Sequence, residues 1–305
     1  MITIDMTDDA VRARAALSVC NSDYRSAITD FCRRVICGFF APCHNITERL
    51  SMNNINEIVI DAHLHLPVAP SSLEGKKTAL LEELRKNGVS KGVVISDSEL
   101  ESSIGSLAEC AELFSDCPDI AVVGGISPYI NYEEQLKLTD SLLERGQLAG
   151  IKLFCGHEPI YLTDGNLGAV YALAERYGVP VLFHSGWDNS HFTAPEIIRE
   201  AAESHREIKL VCCHCCYPRL EECFDTLAHC GNVYFDLSSV AEGNNEGFFP
   251  ILETAIHSMP ERFIFGSDFG SCDQAEHLRF FRRLNLTEQE RRPVFCENAR
   301  EIYGL

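Results

Sequence analysis

Ile58-Val59-Ile60-Asp61-Ala62-His63-Leu64-His65-Leu66 is an apolar run that ends in two histidines spaced i, i+2. It reads as a buried strand over about 58–62. Strand side chains alternate faces, so His63 and His65 point the same way. Two imidazoles on one face at a strand's end make half of a metal site, although an isolated H-x-H pair also arises by chance.

Beyond this run the chain turns periodic. Short apolar stretches at 91–96, 120–126, 149–154, 180–184, 208–214, 233–237 and 262–268 read as strands. Between and after them lie helical patterns, several closed by glycine: Gly88, Gly146, Gly178 and Gly231. Thr193-Ala194-Pro195-Glu196 and Thr287-Glu288-Gln289-Glu290 spell capping boxes. The strands are nearly continuous apolar runs, as a parallel sheet covered on both faces requires. Eight strands alternating with eight helices over about 250 residues predict a (β/α)8 TIM barrel. A doubly wound sheet would place a glycine-rich phosphate loop after its first strand. Here His63-Leu64-His65-Leu66-Pro67 occupies that place.

Residues 1–56 differ from the rest and are expected to form an N-terminal helical extension to a barrel over 57–305. Val11, Ala15, Val19, Ile28, Phe31 and Val35 have roughly helical spacing, broken at Asn21-Ser22-Asp23. Such an extension could wrap the main domain or pair with a second copy of the chain in a homodimer. Cys43-His44 reads as a buried or capping pair.

Composition narrows the function classes. The 305 residues are 46% hydrophobic and 23% charged, which is ordinary for a globular chain. Lys plus Arg is 26 against 45 for Asp plus Glu, a formal charge of -19, so the surface repels nucleic acid and anionic membranes. No apolar run is long enough for a membrane span, and the first residues lack the pattern of a secretory signal, so a cytoplasmic location is expected. In that setting the fifteen cysteines are not expected to form a disulfide framework. Cys212, Cys213, Cys215 and Cys216 flank His214 without a second C-x-x-C pair, and packing is their favoured reading. Strand alternation would put Cys212 and Cys216 on the face of His214.

In a barrel the C-terminal strand ends converge on one mouth. Strand one brings His63 and His65, strand four Lys152, strand five His184, strand six His214 and strand eight Asp268. Each alone reads equally well as a structural residue. Together they are harder to dismiss, because polar groups ending apolar strands cost several kcal/mol, of order ~2–7, unless paired or ligated. Three histidines and an aspartate can hold one divalent ion. Imidazole nitrogen and carboxylate oxygen suit zinc. His157 and Glu158 follow strand four, and Trp187 (the only tryptophan) and His191 follow His184, where they could line a pocket for a small-molecule substrate.

Asp61-Ala62-His63-Leu64-His65, Gly150-Ile151-Lys152-Leu153, Pro180-Val181-Leu182-Phe183-His184-Ser185-Gly186, Phe265-Gly266-Ser267-Asp268 and Glu297-Asn298-Ala299-Arg300-Glu301-Ile302-Tyr303 resemble the amidohydrolase superfamily, in its amidohydrolase-related branch, family 2. The resemblance implies a metal-dependent barrel enzyme. By that likeness His63, His65 and His184 are metal ligands, and Asp268 is a ligand or the general base. His214 binds a second metal or polarises the substrate. Lys152 bridges two metals as a carboxylated lysine, contacts a substrate carboxylate, or pairs with an acid at the rim. The expected activity is hydrolysis of an amide, ester or lactone by metal-activated water, with Asp268 taking the proton. Decarboxylation or hydration of a small carboxylic acid, and a non-catalytic scaffold, are the alternatives.

Overall fold

The computed structural model describes residues 57–99, 102–187 and 190–305. The chain divides at Asn56/Glu57, and the helices and the Cys43-His44 pair expected before that point lie outside the described residues. Eight strands form one parallel sheet in sequential order: β1 (Ile60–Leu64), β2 (Lys91–Ile95), β3 (Ile120–Gly125), β4 (Gly150–Leu153), β5 (Val181–Phe183), β6 (Leu210–Cys213), β7 (Val233–Asp236) and β8 (Phe263–Ile264). The sheet curls until its ends meet. Ala62 N donates to Phe265 O (2.9 Å), His65 N to Phe269 O (2.7 Å) and Asp268 N to His63 O (2.9 Å). These bonds join β1 to the segment leaving β8, giving the nearly closed barrel that the strand count predicted.

Helices cross back between the strands: α1 (Leu73–Asn87), α2 (Leu107–Leu113), α3 (Tyr132–Glu144), α4 (Gly168–Tyr177), α5 (Pro195–Ser204), α6 (Leu220–Leu227), α7 (Phe249–Ser258) and α8 (Gln274–Arg282). Two short helices, α9 (Glu288–Arg292) and α10 (Asn298–Tyr303), end the chain. Alternation along the strands makes two apolar layers. Ile60, Ala62, Val93, Val211 and Cys213 fill the barrel, while Val59, Val94, Leu210 and Cys212 pack outward against the helices, joined by Leu64 after a register shift in β1 between Asp61 and Leu64.

Three local expectations change. The first strand runs to Leu64, so His63 lies within it and His65 just beyond. The Thr193 box does not form, because Pro195 opens α5 from Ala194 with no side-chain cap, whereas the Thr287–Glu290 box does form. Alternation fails after Cys213, where His214, Cys215 and Cys216 all take left-handed φ of 65°, 51° and 56°. His214 therefore leaves the face of Cys212 and turns over the mouth, above inward-facing Cys213. Cys215 and Cys216 stay buried in the outer layer, as packing requires.

Candidate active site

Of the ten residues singled out at the strand ends and in the loops that follow them, eight line one cavity of 330 Å³ at the C-terminal mouth: His63, His65, Lys152, His157, His184, Trp187, His214 and Asp268. Phe154, Ser239, Glu242, Ser271 and Cys272 complete its wall. Glu158 turns away and accepts from the hydroxyls of Ser98 (3.2 Å) and Ser127 (2.7 Å), which ties the loops after β2, β3 and β4 together. His191 packs on Phe192 and Tyr161 and does not line the cavity.

The backbone aims these groups through strain. Trp187 (φ 55°), His214 (65°), Ser239 (58°) and Asp268 (63°) are all left-handed without being glycine. Each follows the end of a different strand, β5 to β8. Such conformations cost on the order of 1–3 kcal/mol and concentrate at functional sites. The turn after β5 carries Trp187 over His184, with ring centroids 5.6 Å apart and planes 20° apart. The turn after β6 sets His214 4.8 Å from His184 and 5.0 Å from His63, ring to ring.

Hydrogen bonds fix which imidazole nitrogen faces the cavity. His63 Nδ1 lies 2.5 Å from Asp236 Oδ2, and His65 Nδ1 lies 3.0 Å from the Ile95 carbonyl. His214 Nδ1 lies 3.1 Å from the Ser238 carbonyl. A carbonyl or carboxylate can only accept, so each Nδ1 carries the proton and each Nε2 presents a bare lone pair. Burial, joined by the positive charge of Lys152, holds the pKa of His63 well below the ordinary imidazole value. Burial likewise lowers His65 and, with the adjacent His63 ring and the charge of Lys152, His214. All three are neutral near pH 7, and His214 offers the cavity an acceptor rather than an N–H. Polarising a substrate oxygen would need its protonated form, which burial disfavours.

Asp268 Oδ1 sits 3.4 Å from His65 Nε2 and 3.6 Å from His63 Nε2, while Asp268 Oδ2 accepts from Ser239 Oγ at 2.6 Å. Burial pushes the Asp268 pKa up, but His63, His65 and the Ser239 hydroxyl outweigh it and keep the carboxylate below its usual range. Two bare nitrogens and a carboxylate oxygen thus face one another with no proton between them, an arrangement that a bound cation relieves. Ligand bonds of about 2.1 Å put neighbouring donors roughly 3.0–3.4 Å apart, close to the spacing here. The donor set therefore fits a divalent ion. His184 lies in the same cavity but outside this group of three, whose ligand atoms are all within 4.8 Å of one another.

Sequence reasoning passed over Asp236, Ser238 and Ser239. Asp236 ends Val233-Tyr234-Phe235 as Asp268 follows Phe265, so the same signal marked it. Ser238 lies 3.0 Å from His63 Nδ1 and 2.9 Å from His214 Nδ1, a bridge that nothing in its neighbours announces.

A parallel eightfold barrel with a ring of imidazoles and a carboxylate at its C-terminal mouth defines a class of TIM-barrel enzymes whose chemistry sits at the strand ends. The amidohydrolase family 2 model matches residues 60–305, and the chain belongs to that family. Its enzymes bind a divalent metal. No curated protein matches the chain. Among solved structures, an uncharacterised TIM-barrel protein from Bordetella bronchiseptica is similar at 20% identity with a TM-score of 0.68, over 81% of this chain and 99% of that one. A 2,6-dihydroxybenzoate decarboxylase from Rhizobium is similar at 13% identity and TM-score 0.57, over 82% and 99%. A 5-carboxyvanillate decarboxylase from Novosphingobium aromaticivorans, solved with bound manganese, is similar at 11% identity and TM-score 0.56, over 82% and 98%.

Proposed function

We propose that the protein is a metal-dependent hydrolase of a small molecule, acting at an amide, ester or lactone carbonyl. The placement of Asp268 carries this reading. Its carboxylate is oriented by Ser239 and flanks the two Nε2 atoms, so a proton acceptor stands beside the cation position. His63, His65 and Asp268 would hold the ion, with His184 entering from β5, and zinc suits the donors. When bound, a divalent cation polarises carbonyl oxygens and acidifies water. Asp268 then takes the proton of the attacking water and returns it to the leaving group. His214, with its bare Nε2, is a second acceptor on the same wall. Phe154 and Trp187 give the same cavity an aromatic wall.

A second reading, decarboxylation of a small carboxylic acid, is favoured by His214. An Nε2 without a proton gives no imidazole donor for a tetrahedral oxyanion, whereas in decarboxylation, where carbon loses CO2 and gains H, it can take a proton from water or a substrate hydroxyl and pass it to that carbon. The two decarboxylases of the same fold make this chemistry the natural competitor.

Elemental analysis of the purified chain and product analysis on paired substrates test both. Lactones, esters and amides should yield an acid plus alcohol or amine, and release of carbon dioxide from free acids moves the assignment to the second reading. Asp268→Asn should lower turnover by about 10²–10⁴-fold while the protein still folds. Near wild-type turnover in a metal-loaded Asp268→Asn protein would reject Asp268 as the base.

A further inference from the structure

Cys212, Cys216 and Cys223 bring three sulfurs together outside the barrel wall, between β6 and α6. Their ligand atoms all lie within 4.8 Å of one another, and Cys212 Sγ is 3.9 Å from Cys216 Sγ. Each comes from a different element: Cys212 from the outward face of β6, Cys216 from the turn that follows it, and Cys223 from the buried side of α6. All three are 0% exposed. Packing accounts for one buried thiol at a time, since a free cysteine behaves as a small apolar side chain. It gives no reason for three sulfurs to converge from three elements. The convergence also bypasses the C-x-x-C spacings of the sequence. Cys213 Sγ instead meets Lys152 Nζ at 3.0 Å, and Cys215 Sγ donates to the Asp236 carbonyl at 3.2 Å.

The spacing is that of ligands. Thiolate–metal bonds of about 2.3 Å set the sulfurs of a flat three-coordinate centre about 4.0 Å apart. Cys212 and Cys216 already stand at that separation, and Cys223 closes the set with a shift of about 1 Å at most. The donors also select the ion. Thiolates prefer soft cations such as Cu(I) and Zn(II) over magnesium, calcium or manganese. Zinc closes its structural sites with four ligands. Here no histidine, carboxylate or fourth cysteine among the described residues joins the group. Two neutral oxygens lie alongside: Ser185 Oγ, 3.3 Å from Cys212 Sγ, and the Thr193 carbonyl, 3.7 Å from Cys216 Sγ. The Ser185 hydroxyl is already engaged, donating to the Cys213 carbonyl at 2.6 Å and accepting from Cys216 N at 2.9 Å.

From this convergence of three buried sulfurs with no fourth donor we infer that Cys212, Cys216 and Cys223 form a trigonal thiolate site for Cu(I), separate from the His63, His65 and Asp268 group. One proton leaves for each thiol that ligates as thiolate, and the copper enters already reduced, so no electron is transferred. The inference stands whether or not the cavity is catalytic. Its structural consequence falls on the cavity all the same. Cys216 is the last of three left-handed residues, after His214 and Cys215. An ion on Cys212 and Cys216 ties this strained turn to its strand, and through Cys223 to α6, behind the imidazole that the turn aims inward.

The full-length chain, reduced and zinc-loaded, is titrated with Cu(I) under anaerobic conditions against a chromophoric Cu(I) chelator. Wild type should retain about one Cu(I) per chain more than Cys212→Ala, Cys216→Ala or Cys223→Ala protein. Cys296→Ala, which removes a buried thiol outside the group, should retain as much as wild type. X-ray absorption at the copper edge, on wild type given less copper than protein, should show three sulfur neighbours and no nitrogen. A first shell with nitrogen, or with two sulfurs, overturns the inference without recourse to any variant. Equal copper retention by wild type and a folded Cys223→Ala protein overturns it as well. A zinc content of two per wild-type chain that falls to one in Cys223→Ala places zinc at the sulfurs and likewise overturns the assignment to copper.

Discussion

Asp236 makes no contact with the cavity surface, yet it sets what His63 can do there. Its Oδ2 holds His63 Nδ1 at 2.5 Å, and its Oδ1 accepts from Ser238 N at 3.0 Å, so ring and carboxylate are locked together. A carboxylate behind a histidine fixes its tautomer and raises the basicity of the far nitrogen. Asp236→Asn keeps the shape and an acceptor oxygen but removes the charge. We expect it to weaken metal binding by about 10–100-fold, read by competition with a chromophoric chelator. Unchanged affinity would mean that His63 does not take part in holding an ion. His63, His65 and Asp268 were legible in the sequence because each is a polar group interrupting apolar neighbours. Asp236 carried the same mark, whereas Ser238 and Ser239 did not. A serine is common in loops, and its value here lies in where the backbone puts its oxygen.

The elements that place these residues are the turns leaving β5 to β8. Their left-handed conformations fall on Trp187, His214, Ser239 and Asp268, none of which advertises positive φ as glycine does. The alternation rule therefore held along β6 and failed one residue later, at His214. The strand register and helix order were legible because period-2 and period-3.6 patterns extend over many residues, while a one-residue reversal leaves no periodic trace. Gly266 is a glycine that does carry information. A Cβ there would lie 2.5 Å from Asp236 Oδ1 and 2.8 Å from His63 Cβ, so β8 can close on β1 and β7 only without a side chain. Gly266→Ala should destabilise the fold by about 1–3 kcal/mol through overpacking and should lower metal affinity in the same protein, because the displaced atoms are the His63–Asp236 pair. Denaturant unfolding and metal competition measure the two effects. A loss of stability with metal affinity intact would show that the pair can shift without disturbing the ligand.

At the scale of the whole barrel, the proposed ligands straddle the seam where the chain closes on itself. His63 and His65 belong to β1 and its end, and Asp268 follows β8, so a single ion would join the first strand to the last. The seam's backbone bonds are few: Ala62 to Phe265, His65 to Phe269 and Asp268 to His63. An ion that binds the folded barrel and not the unfolded chain stabilises it by mass action, about 2.7 kcal/mol at a hundredfold excess over Kd. For a domain of this size each kcal/mol shifts Tm by roughly 2–4 °C, so chelation should lower Tm by about 5–11 °C. The loss should be local in origin. Hydrogen exchange at the amides of Ala62, His65 and Asp268 should accelerate before that of Val123 or Leu182, on the side of the barrel away from the seam. A His63→Ala/His65→Ala protein should show neither response. Chelation that leaves Tm unchanged in the wild type, or lowers it equally in the double variant, would remove the ion from the seam and leave the β1–β8 closure to its hydrogen bonds and to packing alone.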